Sequence, residues 1–565
     1  MNQNKTLAII GGGPAALFVL KNFRDDLPYS SIAVFEKSAR LGAGMPYSEV
    51  GAKREHVTNV SDNEIPDLPQ DLTDFVIKNP EVAQKYGIEV ETFHEYKVVP
   101  RLLFGDYLEC QFRILIDKLR SDGITVDIFL EHEVTDAAQS ADGKITITCH
   151  DKPEMQCDAV IICTGHVWPK WNEQKVKGYF DSPYPPSKIA SKVNHAVGIK
   201  GASLTAIDAV KTLAWQHGTF EEQNDKLHYR VSPDCRDFRI VMHSRSGLLP
   251  AVRIHLADTH LSVDQVLTKE QIESERARND GFLPLDFVYE EIFLKTLRNK
   301  HPEYYESIKA LSLEEYTEKV LEFREDADPF ELFRAEFLEA ENSIEKEKPI
   351  HWKEALATLS YAMNYPAKYF SAEDMVRLKK SLMPLISLII AFVPQGSGRE
   401  LMALHEAGIL KLVAVGQDSE IVPGEEGASV TFSRNGNYFR EEYKVFIDCT
   451  GQDYLPFSEF PFKGLLSSSK VVPAKLRYRD FSRGKSDMEN MPEKVTRNGD
   501  AFYLTVPGLK INDNFQVCDE LGNANEVIFV MAVPHIGGLN PDYSGLDFCE
   551  TASRKVIEAL GLVKA

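Results

Sequence analysis

At 565 residues the chain is too long for a peptide module and long enough for roughly two to four compact units. Its composition, 43% hydrophobic, 10% aromatic and 26% charged, is that of a globular chain that can bury large cores. With 64 Lys and Arg against 85 Asp and Glu, the net charge of −21 argues against nucleic acid and membrane surfaces as partners, so any nucleotide must be gripped locally, by helix N-termini and a few placed cations.

The N-terminal run MNQNKTLAIIGGG enters a strand pattern directly, without a basic n-region or an apolar leader, and a cytoplasmic location is expected. Leu7 to Ile10 and Ile32 to Phe35 flank a helical stretch from Ala15 to Asn22, a βαβ unit. Strand patterns recur at Ile124 to Phe129, Ile145 to Thr148 and Ala159 to Cys163, the last two flanking a turn that could close a hairpin. A second βαβ unit starts near Val197, with Leu204 to Leu213 as its helix and Ile240 to His243 as its next strand.

From about Leu256 to Tyr369 the texture becomes Glu/Lys-rich with apolar residues at helical spacing, among them Val320, Phe323, Phe330, Phe333 and Phe337. Strand patterns return at Leu410 to Val415, Val430 to Phe432, Tyr443 to Ile447 and Val527 to Ala532, before a last helix from Leu546 to Leu562. The most apolar stretch, Leu382 to Val393, is interrupted by Pro384 and Ser387 and is too short for a bilayer span, so it reads as core.

The strongest chemical signal is GGGPAA at residues 11–16, between strand and helix, with an acid, Glu36, closing the second strand. Gly11 permits the tight turn, Gly13 lets backbone approach a pyrophosphate, and Ala16 keeps helix and strand close. Glu36 would accept ribose hydroxyls, so a bound dinucleotide is expected. Two later strands, DAVIICTGH at 158–166 and VFIDCTGQ at 445–452, both end in Thr-Gly, at Thr164-Gly165 and Thr450-Gly451, where glycine allows close approach to a ligand.

At these residues the chain resembles the bacterial FAD/NAD(P)-binding protein family, itself similar to class B flavin-dependent monooxygenases of the N-hydroxylase and Baeyer–Villiger type. PRLLFGDYL (100–108), SPYP (182–185), GASLTAID (201–208) and SRSGLLP (244–250) occur in that family's order. The resemblance covers about residues 5–255 well and 380–560 loosely. It implies an α/β, two-dinucleotide-binding, Rossmann-like flavoprotein with an inserted, mainly helical region, holding FAD in the first site and NADPH in the second. The expected parts are an FAD domain over 1–170, an NADP domain over 171–255, a helical insertion over 256–370, an NADP return over 371–450 and an FAD return over 451–565.

Carried over residue by residue, Gly11, Gly13, Pro14, Ala15, Ala16 and Glu36 match the FAD fingerprint. Met45, Pro46, Tyr47 and Asn59 fall in stretches resembling isoalloxazine-side loops, with Arg101 and Tyr107 nearby; Arg101 reads equally as an ion-pair partner and either tyrosine as core. HIGGLNPDYSG (535–545) precedes the last helix, and Asn540, Tyr543, Ser544 and Gly545 would set a helix N-terminus against the flavin N1/O2 edge. Ala532 and Val533 stand where relatives carry Gly-Asp.

In the second fingerprint, Gly201, Ser203, Leu204 and Thr205 match, but Ser203 replaces the middle glycine and Lys200 enters the preceding strand; the hydroxyl or Lys200 could compensate with a phosphate contact. Ser244-Arg245 ends the next strand, where a guanidinium favours a 2′-phosphate. His166 and Gln452, in the two Thr-Gly segments, loosely match monooxygenase signatures, and His166 reads as a hinge or satisfied histidine rather than an acid-base group. No residue is singled out as catalytic.

The eight cysteines form no CxxC pair, which disfavours a disulfide reductase, and no Cys/His/carboxylate spacing suggests a metal. The leading expectation is an FAD- and NADPH-dependent monooxygenase acting with molecular oxygen on a small polar molecule, amino-group oxidation slightly favoured. The alternatives are a redox-sensing or partner-binding FAD protein whose altered second site works with a protein contact through the helical insertion, and an FAD oxidase or dehydrogenase.

Overall fold

A computed structural model describes residues 5–257, 266–452, 454–542 and 545–562. β1 (Lys5–Ile10) runs between two parallel neighbours, so Leu7 to Ile10 are buried on both faces. α1 (Pro14–Asn22) follows, its proline in the first turn where the missing N–H costs nothing, and buries Ala16 to Leu20. β2 (Tyr29–Glu36) completes the βαβ unit, α2 (Arg101–Ser121) packs on α1, and β3 (Thr125–Leu130) and β4 (Ala159–Ile162) extend the sheet. Its six strands are ordered Gln516–Cys518, Ala524–Val530, β4, β1, β2, β3, and only Gln516–Cys518 is antiparallel to its neighbour.

The expected hairpin between Ile145 and Cys163 is corrected: Ile145–Cys149 pairs with Met155–Cys157, and β4 leaves to join β1. All four residues of β4 are buried, and a strand without a polar face needs covering on both sides.

The second sheet repeats the plan. β5 (Ala196–Lys200), α3 (Leu204–His217) and β6 (Arg239–Ser244) form its βαβ unit, interrupted by an unforeseen hairpin of Gly218–Gln223 with Lys226–Val231. α4 (Gln395–Glu406) leads into β7 (Leu410–Ala414), and β8 (Val445–Asp448) returns beside β5. The order is Tyr179–Phe180, β8, β5, β6, β7, all parallel.

Between β6 and α4 the chain is mainly helical from Lys269–Arg278 to Met383–Ile389, so helices continue beyond residue 370, where a direct return to the second domain was expected. Leu385, Ile386 and Ile389 are fully buried, and among the described residues no helix is long and apolar enough to cross a bilayer. The region is shared between two cores: Phe293, Tyr316, Leu356 and Leu385 pack with the first sheet, whereas Phe330, Phe333 and Phe337 join the core of the second. Phe323, expected on the apolar face, is 73% exposed.

Beyond the second sheet lies a small antiparallel sheet the sequence did not suggest: β9 (Pro473–Arg477), α5 (Phe481–Asn490), β10 (Val495–Asn498) and β11 (Ala501–Leu509), with β11 central. α6 (Gly545–Leu562) closes the chain against α1 through Lys21–Glu550 at 2.9 Å and Asn22–Ser553 at 2.8 Å.

Candidate functional site

The first nucleotide turn is built from glycines that leave no room for side chains. Gly11 has φ +102°, and a Cβ there would lie 2.6 Å from the Cys163 carbonyl at the end of β4. A Cβ on Gly13 would fill the lane toward Gly44, 3.4 Å from its Cα. No side chain caps α1 at Gly13, so its first-turn N–H groups remain for an anion. The Glu36 carboxylate accepts from the N–H of Gly12 at 2.7 Å and of Ser38 at 2.8 Å, which fixes it at the mouth of the turn. These residues fit FAD: a glycine lane for the pyrophosphate, an uncapped helix start and a positioned acid.

Behind this turn runs the loop of Met45, Pro46 and Tyr47, which presses on α2. Gly105 makes that possible, since a Cβ would meet the Tyr47 carbonyl at 2.1 Å. The Tyr47 ring sits edge-on to Phe104 at 4.8 Å, and burial, opposed by Arg101, pushes its hydroxyl up to about 12. Tyr107 is a correction: it is fully buried, lies 5.5 Å from Phe75 and donates to the Gln70 carbonyl at 2.8 Å, a core role.

The second turn reproduces the first in backbone. Gly201 has φ +112°, and a Cβ there would lie 2.7 Å from the Cys449 carbonyl at the end of β8. Gly13 has φ −83° and ψ −164°, and Ser203, at the start of α3 ahead of Leu204 and Thr205, has φ −87° and ψ −170°. Ser203 is exposed and its hydroxyl makes no cap bond to α3. Lys200 is corrected as a phosphate ligand, because its ammonium is bonded to Asp448 across the strands at 2.9 Å. Asp448 also accepts from the Thr450 N–H at 3.0 Å and hydroxyl at 2.7 Å. Arg245 is exposed and its guanidinium has no ion-pair partner among the described residues, while Ser244 accepts from the Gly247 N–H at 3.0 Å. An uncapped helix start with a free guanidinium at the next strand end fits a phosphorylated dinucleotide, with the Ser203 Cβ as the one obstruction.

The Thr-Gly ends converge. His166, two residues after Thr164, donates from Nδ1 to the Gln452 Oε1 at 2.6 Å, joining the segment after β4 to the segment after β8. A Cβ on Gly165 would meet nothing within 4 Å, so that strand end is open. His166 is solvent-accessible yet crowded by protein, as on a cleft wall; burial lowers its pKa, opposed by the bond to Gln452. Trp168 lies 5.6 Å from His166 and 5.2 Å from Tyr184, continuing the wall.

Next to this wall sits a buried polar cluster that sequence reasoning did not assemble. Asp208 on α3 accepts from Arg101 and from the Tyr184 hydroxyl, each at 2.6 Å. His56 accepts the Lys53 N–H on Nδ1, so Nε2 carries the proton and donates to the Asp208 carbonyl at 3.1 Å and the Thr212 hydroxyl at 3.0 Å. Burial would raise the Asp208 carboxyl, but Arg101 and the Tyr184 hydroxyl hold it below the ordinary range; burial and Arg101 keep His56 neutral. Arg101 is therefore an ion-pair residue between the two nucleotide folds. A second tie is Arg253, which bonds the Asn59 carbonyl, Ser61 at 2.7 Å and Glu64 at 2.7 Å. The available signal for the cluster was Asp208 itself, an acid among Ala206, Ile207, Ala209 and Val210 on a buried helix face.

At the last helix, Asn540 is fully buried and its amide donates to the Asn364 carbonyl at 2.6 Å. The Asp542 N–H donates to the Asn364 Oδ1 at 2.8 Å, and the Ser360 hydroxyl to its carboxylate, so the helical region holds the loop entering α6. Burial, opposed by Ser360, pushes Asp542 up to about 6. Gly545 is exposed with φ +84°; Tyr543 and Ser544 lie outside the described residues.

Turns of this kind define a dinucleotide-binding protein, and residues 8–167 match the FAD-NAD(P)-binding family model, so this part of the chain is an FAD-NAD(P)-binding domain. Residues 268–390 match the YdhS-like middle domain. The chain is 29% identical over 470 residues to the uncharacterised protein YdhS of Escherichia coli (strain K12), covering 82% of this chain and 86% of that protein. Among solved structures it is similar to the reduced ornithine hydroxylase PvdA of Pseudomonas aeruginosa, with a TM-score of 0.49, 11% identity and 99% of each chain covered. The ornithine N-hydroxylase KtzI of Kutzneria sp. 744 gives 0.47, 12% and 99% of each. Neither likeness bears on the reaction.

Proposed function

We propose that the chain is an FAD-dependent, NADPH-using monooxygenase of a small polar substrate, with amino-group oxygenation the reaction that the family resemblance slightly favours. The observation that carries this reading is the His166–Gln452 bond at 2.6 Å, which brings the ends of the two nucleotide folds together, as hydride transfer between two cofactors requires. The first turn and Glu36 would hold FAD, and the α3 start with Arg245 would hold NADPH. Bound together, these cofactors supply hydride and oxygen chemistry that needs no protein nucleophile. The protein's part is to orient and to exclude water: His166, kept neutral with its proton on Nδ1, presents an unprotonated Nε2, and Trp168 and Tyr184 form an apolar wall beside it.

Stopped-flow reduction of the bound flavin tests the reading. NADPH should reduce it faster than NADH, and Arg245→Ala should erase roughly tenfold or more of that preference while leaving NADH little changed, since each bond to a charged phosphate contributes about 1.5 to 3 kcal/mol. A small amine should then stimulate aerobic NADPH consumption. A second reading, an FAD protein whose second site has been turned to another use, is favoured by the Lys200–Asp448 pair and by Ser203. It prevails where neither nucleotide reduces a properly bound flavin.

A further inference from the structure

The small sheet of β9 to β11 and the turn of Asp280 to Phe282 enclose a cavity of about 260 Å³ that shares no residue with either nucleotide turn. Its walls carry two arginines and four aromatic rings, with two acids, Asp280 and Asp500, also on the lining. Arg477, the last residue of β9, and Arg479, just past it, both lie over the Phe282 ring, with guanidinium carbons 4.3 and 5.3 Å from its centre. Phe481 and Phe502 stand edge to face at 5.0 Å, with Arg497 at 5.8 and 5.7 Å from their centres.

Among the described residues the guanidinium groups of these arginines have no carboxylate nearer than 3.7 Å, in a chain with a net charge of −21. Elsewhere guanidinium groups meet acids closely, Arg101–Asp208 at 2.6 Å and Arg324–Glu336 at 2.7 Å. Arg477 is in no ion pair among the described residues, and the one bond its side chain makes there is to the Asp280 carbonyl, at 2.7 Å. The Arg479 backbone N–H donates to the Glu373 carboxylate at 3.1 Å, but among the described residues its guanidinium comes no nearer to an acid than 3.7 Å from Asp374, which Arg377 already engages at 2.9 Å. Arg497 is 3.8 Å from Asp500, whose carboxylate is fully exposed at the rim. A guanidinium carries five N–H donors, so most of those on Arg477 and Arg479 are unused among the described residues. Stacking on Phe282 holds the planes while leaving their edges free for an acceptor. Phe481, 51% exposed, is available as a flat apolar wall.

We infer that this cavity binds a small organic anion in which a carboxylate or a phosphate is carried on a flat aromatic ring: the two arginine edges take the anion, and Phe481 and Phe502 take the ring. The volume suits one ring with one anionic group.

Calorimetric titration of the FAD-loaded protein tests this with benzoate and phenyl phosphate as probes, and inorganic phosphate and cyclohexanecarboxylate as controls. At least one aryl probe should bind at a single site, with both controls about tenfold weaker or more. Arg477→Ala and, separately, Arg479→Gln should each weaken that probe about tenfold, with flavin content and melting temperature unchanged because both side chains are exposed. Benzoate and phenyl phosphate distinguish the two anions. Failure of both aryl probes to bind at millimolar concentration, or binding unaltered in both variants, overturns the proposal. Equal binding of inorganic phosphate and phenyl phosphate overturns its aromatic half.

Discussion

The two nucleotide folds have nearly the same backbone and different chemistry. Gly11 and Gly201 approach the carbonyls of Cys163 and Cys449 at the same distance to within 0.1 Å, as if a Cβ were present, and Gly13 and Ser203 start their helices at nearly equal dihedral angles. Side chains then separate them. In the first fold Ile10 lies level with Ile162 in the strands beneath the turn, and the acid Glu36 braces the loop; in the second Lys200 pairs with Asp448, and the next strand ends in Ser244-Arg245. Turn geometry is thus set by close packing between strand ends, which tolerates no Cβ at the first glycine, whereas the two folds differ in chemistry at positions the packing leaves free.

The largest expected effect tests whether the folds are independent. Arg101→Leu leaves the Asp208 carboxylate buried without its cation and should cost about 3 to 5 kcal/mol of stability. Adding Asp208→Asn removes the charge, keeps an acceptor for Tyr184 and should recover most of the loss. Urea titration of the three proteins measures it, and a single variant within about 1 kcal/mol of the parent would show the cluster to be dispensable.

Next come the matched glycines. Gly11→Ala and Gly201→Ala each force a side chain into left-handed backbone and against a carbonyl, at about 2 to 4 kcal/mol apiece. The comparison is sharpened by flavin absorbance after desalting: Gly11→Ala should lose the flavin, and Gly201→Ala should keep it while losing NADPH reduction. Equal flavin loss in both would erase the distinction between the sites.

A smaller effect concerns Asp542, which has no counterpart in the second fold. Its carboxyl is raised to about 6 from an unfolded value near 4, so the native state binds the extra proton between those pH values and its stability falls as pH rises through them. Asp542→Asn should therefore stabilise by up to about 3 kcal/mol at neutral pH and by almost nothing below pH 4. A melting-temperature gain that is the same at both pH values would show that titration is not its source.

Legibility follows the same division. Both βαβ units and both Thr-Gly strand ends could be read from the sequence because glycine and apolar runs at fixed spacing have few alternative uses. What escaped was long-range: the Asp208 cluster needs His56, Arg101 and Tyr184 from three separate segments, and the hold of Ser360 and Asn364 on Asp542 crosses about 180 residues. Tyr107 misled because a tyrosine in a motif looks the same whether its hydroxyl meets a cofactor or the Gln70 carbonyl. In the sheet of β9 to β11 the five-residue β9 and four-residue β10 are too short to carry a pattern of their own, whereas the nine-residue β11 alternates buried and half-buried positions, a strand signal the sequence does carry.

The finest test is Ser203→Gly, which makes the second turn match the first. Replacing a helix N-cap serine by glycine ordinarily costs only a few tenths of a kcal/mol, and this hydroxyl makes no cap bond, so stability should be nearly unchanged. Any change in nucleotide binding then reports directly on the space at the phosphate path. With the Cβ as the obstruction, NADPH binding measured by fluorescence titration should tighten by about 1 kcal/mol, roughly fivefold. Combined with Arg245→Ala, the glycine should tighten NADPH and NADH alike, because in the proposed reading Arg245 would meet the 2′-phosphate and residue 203 the pyrophosphate they share. If Ser203→Gly leaves both nucleotides unaffected while the flavin stays bound, the second fold holds something other than a dinucleotide at this turn, and its likeness to the first is one of backbone alone.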